Sequence, residues 1–147
     1  MHTRHRTWRL PPDVDTDQLA PGHAMKFGLP EIARVCLENL RPEFTREVRR
    51  GDVIVAGRHF GIGSSREQAA SVLVHLGVAA VIAPSYNGLY FRNAFNVGLL
   101  LLHCPRAGAI DEGESIAFDA RAGRIVRAGG EVLPCEPIPD FLLDMVE

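Results

Sequence analysis

Cysteine is scarce and poorly spaced in this chain: the 3 residues, Cys36, Cys104 and Cys135, lie far apart and no Cys-x-x-Cys occurs. An odd number of separated cysteines argues against a disulfide framework. The short, repeated spacings that hold an iron–sulfur cluster are missing too, so these thiols read as core or surface groups. Long apolar runs are also missing; the stretch from Val97 to Leu102 is interrupted by Gly98 and is far too short to span a bilayer. Charge of one sign is lacking, the net charge being −2, which gives neither nucleic acid nor an anionic membrane a reason to bind. The basic opening Met1-His2-Thr3-Arg4-His5-Arg6 runs into Trp8-Arg9-Leu10-Pro11-Pro12 rather than an apolar segment, so no secretory signal is expected and the cytoplasm is the expected compartment. No internal repeat or low-complexity linker divides the sequence. With 147 residues and 46% hydrophobic content, residues 1–147 are expected to fold as one domain around a real core.

What is present is an alternation of buried-type strands and helices. Val53-Ile54-Val55-Ala56, Val78-Ala79-Ala80-Val81-Ile82-Ala83 and Leu99-Leu100-Leu101-Leu102 are apolar on both faces, as strands of a covered parallel sheet are. Between them lie helical stretches, one from about Glu67 to Leu76, stopped by Gly77, and one from Ser85 to Asn96 with Leu89, Phe91 and Phe95 available for packing. Upstream, Trp8-Arg9-Leu10 reads as a short edge strand ended by Pro11-Pro12. Asp13 to Leu19 reads as a turn-rich, solvated or capping segment, since it lacks the glycine and distal glutamate of a calcium loop. Pro21 to Gly28 reads as a loop, and Leu29-Pro30-Glu31 opens a helix with Ile32, Val35, Cys36 and Leu40 on one face, ended by Pro42. Phe44 and Val48 suggest a further helical turn. In the last third, Ser115–Asp119, Arg124–Val126 and Glu131–Leu133 read as antiparallel strands covering the sheet, and Pro139 to Leu143 as a short capped helix. The expected class is α/β, with a mainly parallel core sheet and additional antiparallel strands toward the C-terminus.

The stretch with the most chemistry is Gly61-Ile62-Gly63-Ser64-Ser65-Arg66-Glu67, a glycine-rich turn between a strand and a helix. Its glycines allow close backbone approach to a ligand, and two hydroxyls and a guanidinium stand where helix N–H groups also point, an arrangement suited to an anion. The same residues spell a Ser-x-x-Glu capping box, which stabilises a helix start and does no chemistry. A dinucleotide site is disfavoured because Arg66 stands where a third glycine belongs and Ile82-Ala83-Pro84 carries no acid for a ribose. A Walker-type phosphate loop is excluded by the absence of a following Gly-Lys-Ser/Thr.

Four ordered motifs carry a resemblance across about residues 8 to 143. They are Asp15-Thr16-Asp17-Gln18-Leu19-x-Pro21-Gly22, Gly57-x-x-Phe60-Gly61-x-Gly63-Ser64-Ser65-Arg66-Glu67, Val81-Ile82-Ala83-Pro84-Ser85 and Arg92-Asn93-Ala94-x-Asn96-x-Gly98-Leu99. Together they resemble the small subunits of isopropylmalate dehydratase in the aconitase superfamily. The resemblance implies a swivelling β/β/α domain that closes over a separate large subunit, and a four-iron, four-sulfur cluster on that partner with no metal site in this chain. The implied reaction is reversible dehydration of a small 2-hydroxy di- or tricarboxylate in a heteromeric hydro-lyase. By the same resemblance Ser64 is the base, Ser65 binds a substrate oxygen, and Arg66 grips a carboxylate, for which a forked pair suits a guanidinium.

A serine hydroxyl is far too weak an acid to sit as alkoxide near neutrality, so Ser64 needs the helix end, amide N–H groups and Arg66 to stabilise its charge. Three positions depart from the family pattern: Ile62 between the glycines, Gln68 in place of histidine, and His23 where an arginine usually binds a substrate carboxylate. His23 and Lys26 are therefore the expected substrate-binding cations of the upstream loop. Isopropylmalate, with a place in leucine biosynthesis, leads among substrates, with homoaconitate or a methylated malate next. A non-catalytic scaffold version of the fold is the alternative of another class.

Overall fold

The computed structural model describes residues 3–146; Met1 and His2 of the basic opening stretch, and Glu147, lie outside the described residues. Among the described residues seven strands form one mixed sheet in the order β4-β3-β2-β1-β5-β6-β7. β1 (His5–Arg9), β2 (Val53–Val55), β3 (Ala80–Ala83) and β4 (Leu100–His103) run parallel to one another. β5 (Ser115–Asp119) pairs antiparallel with β1, and β6 (Arg124–Val126) and β7 (Val132–Pro134) continue outward antiparallel. Every residue of β2 and β3 is buried, which is why those runs are apolar on both faces.

β1 is the seam of the sheet and not an edge strand. Pro11 and Pro12 fall past its last paired residue, so their missing N–H groups cost the ladder nothing, and Leu10 still donates to the Val55 carbonyl at 2.9 Å. Trp8 is buried on this strand with Arg6 and Arg41 over its ring at 5.1 and 4.9 Å, and its indole N–H donates to Asp52 at 2.9 Å. The C-terminal strands do not form a separate cover either. They prolong the same sheet from β1, and the chain just past β7 then returns to the opposite end, where the Glu136 N–H donates to the His103 carbonyl of β4 at 2.9 Å. The segment after β7 therefore touches the far edge of the sheet at one hydrogen bond, while β4 and β7 themselves are not paired.

Between the parallel strands come the helices. α1 (Thr16–Leu19) is a single turn closed by a capping box, in which Asp15 accepts from the Gln18 N–H at 2.7 Å and the Gln18 side chain accepts from the Asp15 N–H at 2.9 Å. The capping role expected for the Asp13 to Leu19 segment is met here. Pro21 to Gly28, read as a loop, is tightened into a 3-10 helix over Gly22–Phe27.

α2 (Leu29–Val35) stops well before Pro42, because Leu37 takes a left-handed backbone, φ 59°, and donates to the Gln18 carbonyl at 2.8 Å. Burial of Cys36 and Leu37 overrides the helical spacing that reaches to Leu40. α3 (Phe44–Glu47) supplies the expected extra turn. α4 (Gln68–His75) runs as read and ends at Gly77, φ 85°.

α5 (Gly88–Asn96) starts later than Ser85, because Asn87 caps it by accepting from the Leu89 and Tyr90 N–H groups. That phase exposes Leu89 at 49% and buries Tyr90 in its place. α2 packs on α4, α4 on α5, and α5 on α6 (Asp140–Val146), the closing helix.

Candidate active site

Three loops leave the carboxyl ends of β1, β2 and β3 side by side, the usual place for a ligand in a parallel sheet. Isolated parallel bridges extend the strand pairing into them, joining Asp15 to Ile62 and Phe60 to Tyr86. The Gly61 N–H donates to the Val14 carbonyl at 2.7 Å and the Thr16 N–H to the Ile62 carbonyl at 2.8 Å, so the loop after β1 is stitched to the glycine turn. Two glycines make this possible. Gly61 has φ 84° and lies against the Tyr90 ring, where a side chain would collide, and Gly63 has φ 107° with Thr16 at its back.

Ser64 and Ser65 are exposed at the tip of the turn, and Arg66 is partly buried. The guanidinium is held at two of its three nitrogens. Its Nε donates to Ser64 Oγ at 2.9 Å, and Nη1 donates to the Ala20 carbonyl at 2.8 Å and to Asp17 Oδ1 at 3.3 Å. Among the described residues Nη2 donates to no protein acceptor, so Nη2 is the part of the guanidinium left for an anion, while Nε is committed to Ser64 and Nη1 to Ala20 and Asp17. The Ser65 carbonyl accepts from the Asn93 amide of α5 at 3.1 Å, which anchors the turn from behind.

The expected capping box of Ser64 with Glu67 does not form. α4 begins at Gln68 with Glu67 at the N-cap position and no side-chain cap, so Ser64 lies a full turn upstream of the helix start. A helix end acts within about one turn. The groups that touch the Ser64 hydroxyl are instead Arg66 Nε and the Thr16 hydroxyl, the latter at 3.3 Å.

His23 and Lys26 sit on the 3-10 helix, near the site through the backbone but not bonded to it by their side chains. His23 Nε2 lies 2.7 Å from Glu38, and the Lys26 ammonium lies over the Phe27 ring at 5.2 Å. The link runs instead through Asp17, whose Oδ1 accepts from the Gly22 N–H at 2.9 Å as well as from Arg66. Thr16, Asp17 and Asn93 join the site through their contacts with Ser64, Arg66 and Ser65, and their one signal in the sequence is that the Asp-Thr-Asp-Gln loop and the Arg92-Asn93 motif accompany the serine turn in order.

The cysteines are placed as core groups. All three are buried, and burial holds the Cys135 thiol up to about 11. Among the described residues no three His, Cys, Asp or Glu side chains converge as metal ligands. Among them, too, no helix is long and apolar enough to cross a membrane.

Comparison with known proteins places this geometry in a context. A family model described as the aconitase C-terminal domain matches residues 39–107, which include the serine turn. The chain is 44% identical over 144 residues to the 3-isopropylmalate dehydratase small subunit 1 of Archaeoglobus fulgidus, covering 97% of this chain and 89% of that protein. It is equally 44% identical, over 147 residues, to the methanogen homoaconitase small subunit of Methanothermobacter thermautotrophicus, covering 98% of this chain and 85% of that protein. The crystal structure of 3-isopropylmalate dehydratase (LeuD) from Methanocaldococcus jannaschii superposes with a TM-score of 0.91 at 34% identity, covering 99% of this chain and 88% of that one.

Proposed function

The chain belongs to the 3-isopropylmalate dehydratase small-subunit family of the aconitase superfamily, and from that membership we propose that it completes the active site of a heteromeric hydro-lyase acting on 3-isopropylmalate. The observation that carries this reading is the Arg66 guanidinium, whose Nε holds Ser64 Oγ at 2.9 Å while Nη1 is tied to Ala20 and Asp17 and Nη2 donates to no acceptor among the described residues, beside the exposed Ser64 and Ser65. Such an exposed turn suits a swivelling domain that closes over a large subunit.

In the proposed reaction Ser64, as alkoxide, takes a proton from the carbon beside a substrate carboxylate. The electron pair of that C–H bond becomes the second bond of an alkene as the neighbouring C–O bond breaks and hydroxide leaves. Re-addition of water at the other carbon runs the same steps backwards. Arg66 Nε stabilises the charge on Ser64 before the proton moves, and its Nη2 donates to a substrate carboxylate. Ser65 offers a hydroxyl to a second substrate oxygen. The large subunit's four-iron, four-sulfur cluster, when bound, supplies a Lewis-acidic iron that assists departure of the hydroxide.

The 44% identity to a homoaconitase small subunit supports a longer dicarboxylate or tricarboxylate homologue as the second reading. A panel of malate homologues assayed with the reconstituted pair separates the two. 3-Isopropylmalate is expected to be turned over fastest, and a preference for a homoaconitate-type substrate reverses the assignment. In the same panel His23→Ala and Lys26→Ala are expected to change relative turnover among substrates more than they change the best rate. Unchanged ratios for both would assign selectivity to the partner.

A further inference from the structure

The hydroxyl of Thr16 is buried where hydroxyls are rarely left without work. Thr16 is 2% exposed, and its side chain has one hydrogen-bond partner among the described residues, Ser64 Oγ at 3.3 Å. Its backbone is fixed independently, by the N–H bond to the Ile62 carbonyl at 2.8 Å and the bridge between Asp15 and Ile62. The facing residue is cut away to admit it: a Cβ on Gly63 would stand 2.9 Å from Thr16 Oγ1, closer than packed atoms tolerate. The glycine before Ser64 thus leaves room for a hydroxyl supplied from 48 residues away in the chain.

We infer that Thr16 is a positioning residue for Ser64, forming with Arg66 Nε a two-sided cradle that orients the serine hydroxyl and stabilises its deprotonated form. The inference rests on the proposed role of Ser64 as base. With Ser64 protonated, Arg66 donates to Oγ and the serine proton is directed to Thr16 Oγ1. Once that proton has left, the Thr16 hydroxyl reverses and donates to the alkoxide. Arg66 carries only donors and cannot accept the serine proton, whereas a threonine hydroxyl both donates and accepts. A hydrogen bond to the charged form lowers the pKa of the group that receives it.

The test uses two readouts, one of which needs neither partner nor substrate. In the full chain carrying Ser64→Cys, the native thiols are buried, so the pH dependence of alkylation by iodoacetamide reports the introduced thiol. Adding Thr16→Val is expected to raise its apparent pKa by about one unit, and adding Thr16→Ser to leave it in place. In the reconstituted enzyme with native Ser64, Thr16→Val is expected to lower kcat about tenfold with KM within about twofold and to shift the pH–rate profile upward, while Thr16→Ser restores both.

An unchanged thiol titration in the Thr16→Val background, or equal losses of turnover in the valine and serine variants, overturns the inference. Should the valine variant fail to fold, as judged by circular dichroism, Thr16→Ala takes its place in both measurements. Ser64→Ala separates the two claims: turnover retained in that variant removes the base assignment, whereas turnover lost there and full in Thr16→Val removes only the role of Thr16.

Discussion

Gly63 carries the steric requirement nearest the Ser64 hydroxyl, because its φ of 107° and the 2.9 Å approach of Thr16 Oγ1 both disfavour a side chain. Gly63→Ala is expected to cost about 1–3 kcal/mol in stability, the scale of a strained backbone position, and to lower turnover by moving Ser64 off its two partners. Urea unfolding and steady-state turnover measure the two effects, and wild-type values in both would contradict the packing described here. At this scale the sequence was most legible where the candidate site residues are contiguous. Ser64, Ser65 and Arg66 stand together in one loop. Thr16 and Asp17 reach them only through tertiary structure, and in sequence Asp-Thr-Asp-Gln is indistinguishable from a turn that bonds its own backbone. The direction of each guanidinium edge is likewise a property of the folded site: the Nε edge of Arg66, suited to a forked carboxylate pair, is occupied by Ser64.

Helices and strands were legible where their pattern is set locally and misread where tertiary contacts decide. α4 follows its own spacing and its glycine stop, whereas α2 is cut short because burying Leu37 in a left-handed backbone outweighs helix continuation. The expected cap by Ser64 failed for a related reason, since its hydroxyl is bonded to groups from outside α4.

The C-terminal strands are tied by a local ion pair with a pH signature. Glu114 accepts from Arg127 at 2.9 and 3.1 Å and from the Ala128 N–H at 3.1 Å, and these bonds, Arg127 first, hold its carboxyl down to about 2. A depressed carboxyl contributes stability above its unfolded value, near the ordinary glutamate range, and loses it as pH falls toward the folded value. Glu114→Gln is therefore expected to remove about 2 kcal/mol at neutral pH, the scale of charge-assisted hydrogen bonds to a carboxylate that is 8% exposed, and to flatten this group's share of the acid decline between about pH 4.5 and 2. Chemical denaturation at a series of pH values measures it. An unchanged acid decline in the variant would contradict the pairing.

For the molecule as a whole, the α/β class, the parallel core and the antiparallel C-terminal third were readable from apolar runs and turn residues, but the long-range pairing was not. β1 becomes the seam because two halves of the chain pair on its two sides, and the segment after β7 reaches back to β4 through the Glu136 N–H, contacts that no local pattern encodes. The sheet presents the three loops at one end, with Ser64 and Ser65 exposed.

That exposure accords with the proposed half-site, and the central proposal is that this chain contributes the base and a cluster-bearing large subunit the rest. The most direct measurement is dehydration of 3-isopropylmalate by the cluster-loaded large subunit titrated with this chain, either wild type or Ser64→Ala. Activity absent from either subunit alone, rising to a plateau near an equimolar ratio with wild type, is the predicted result. The Ser64→Ala chain is predicted to assemble equally well but to turn over at least about 10²-fold more slowly, the range for loss of a positioned base. Turnover by this chain alone, or near-wild-type turnover from the Ser64→Ala pair, would contradict the account.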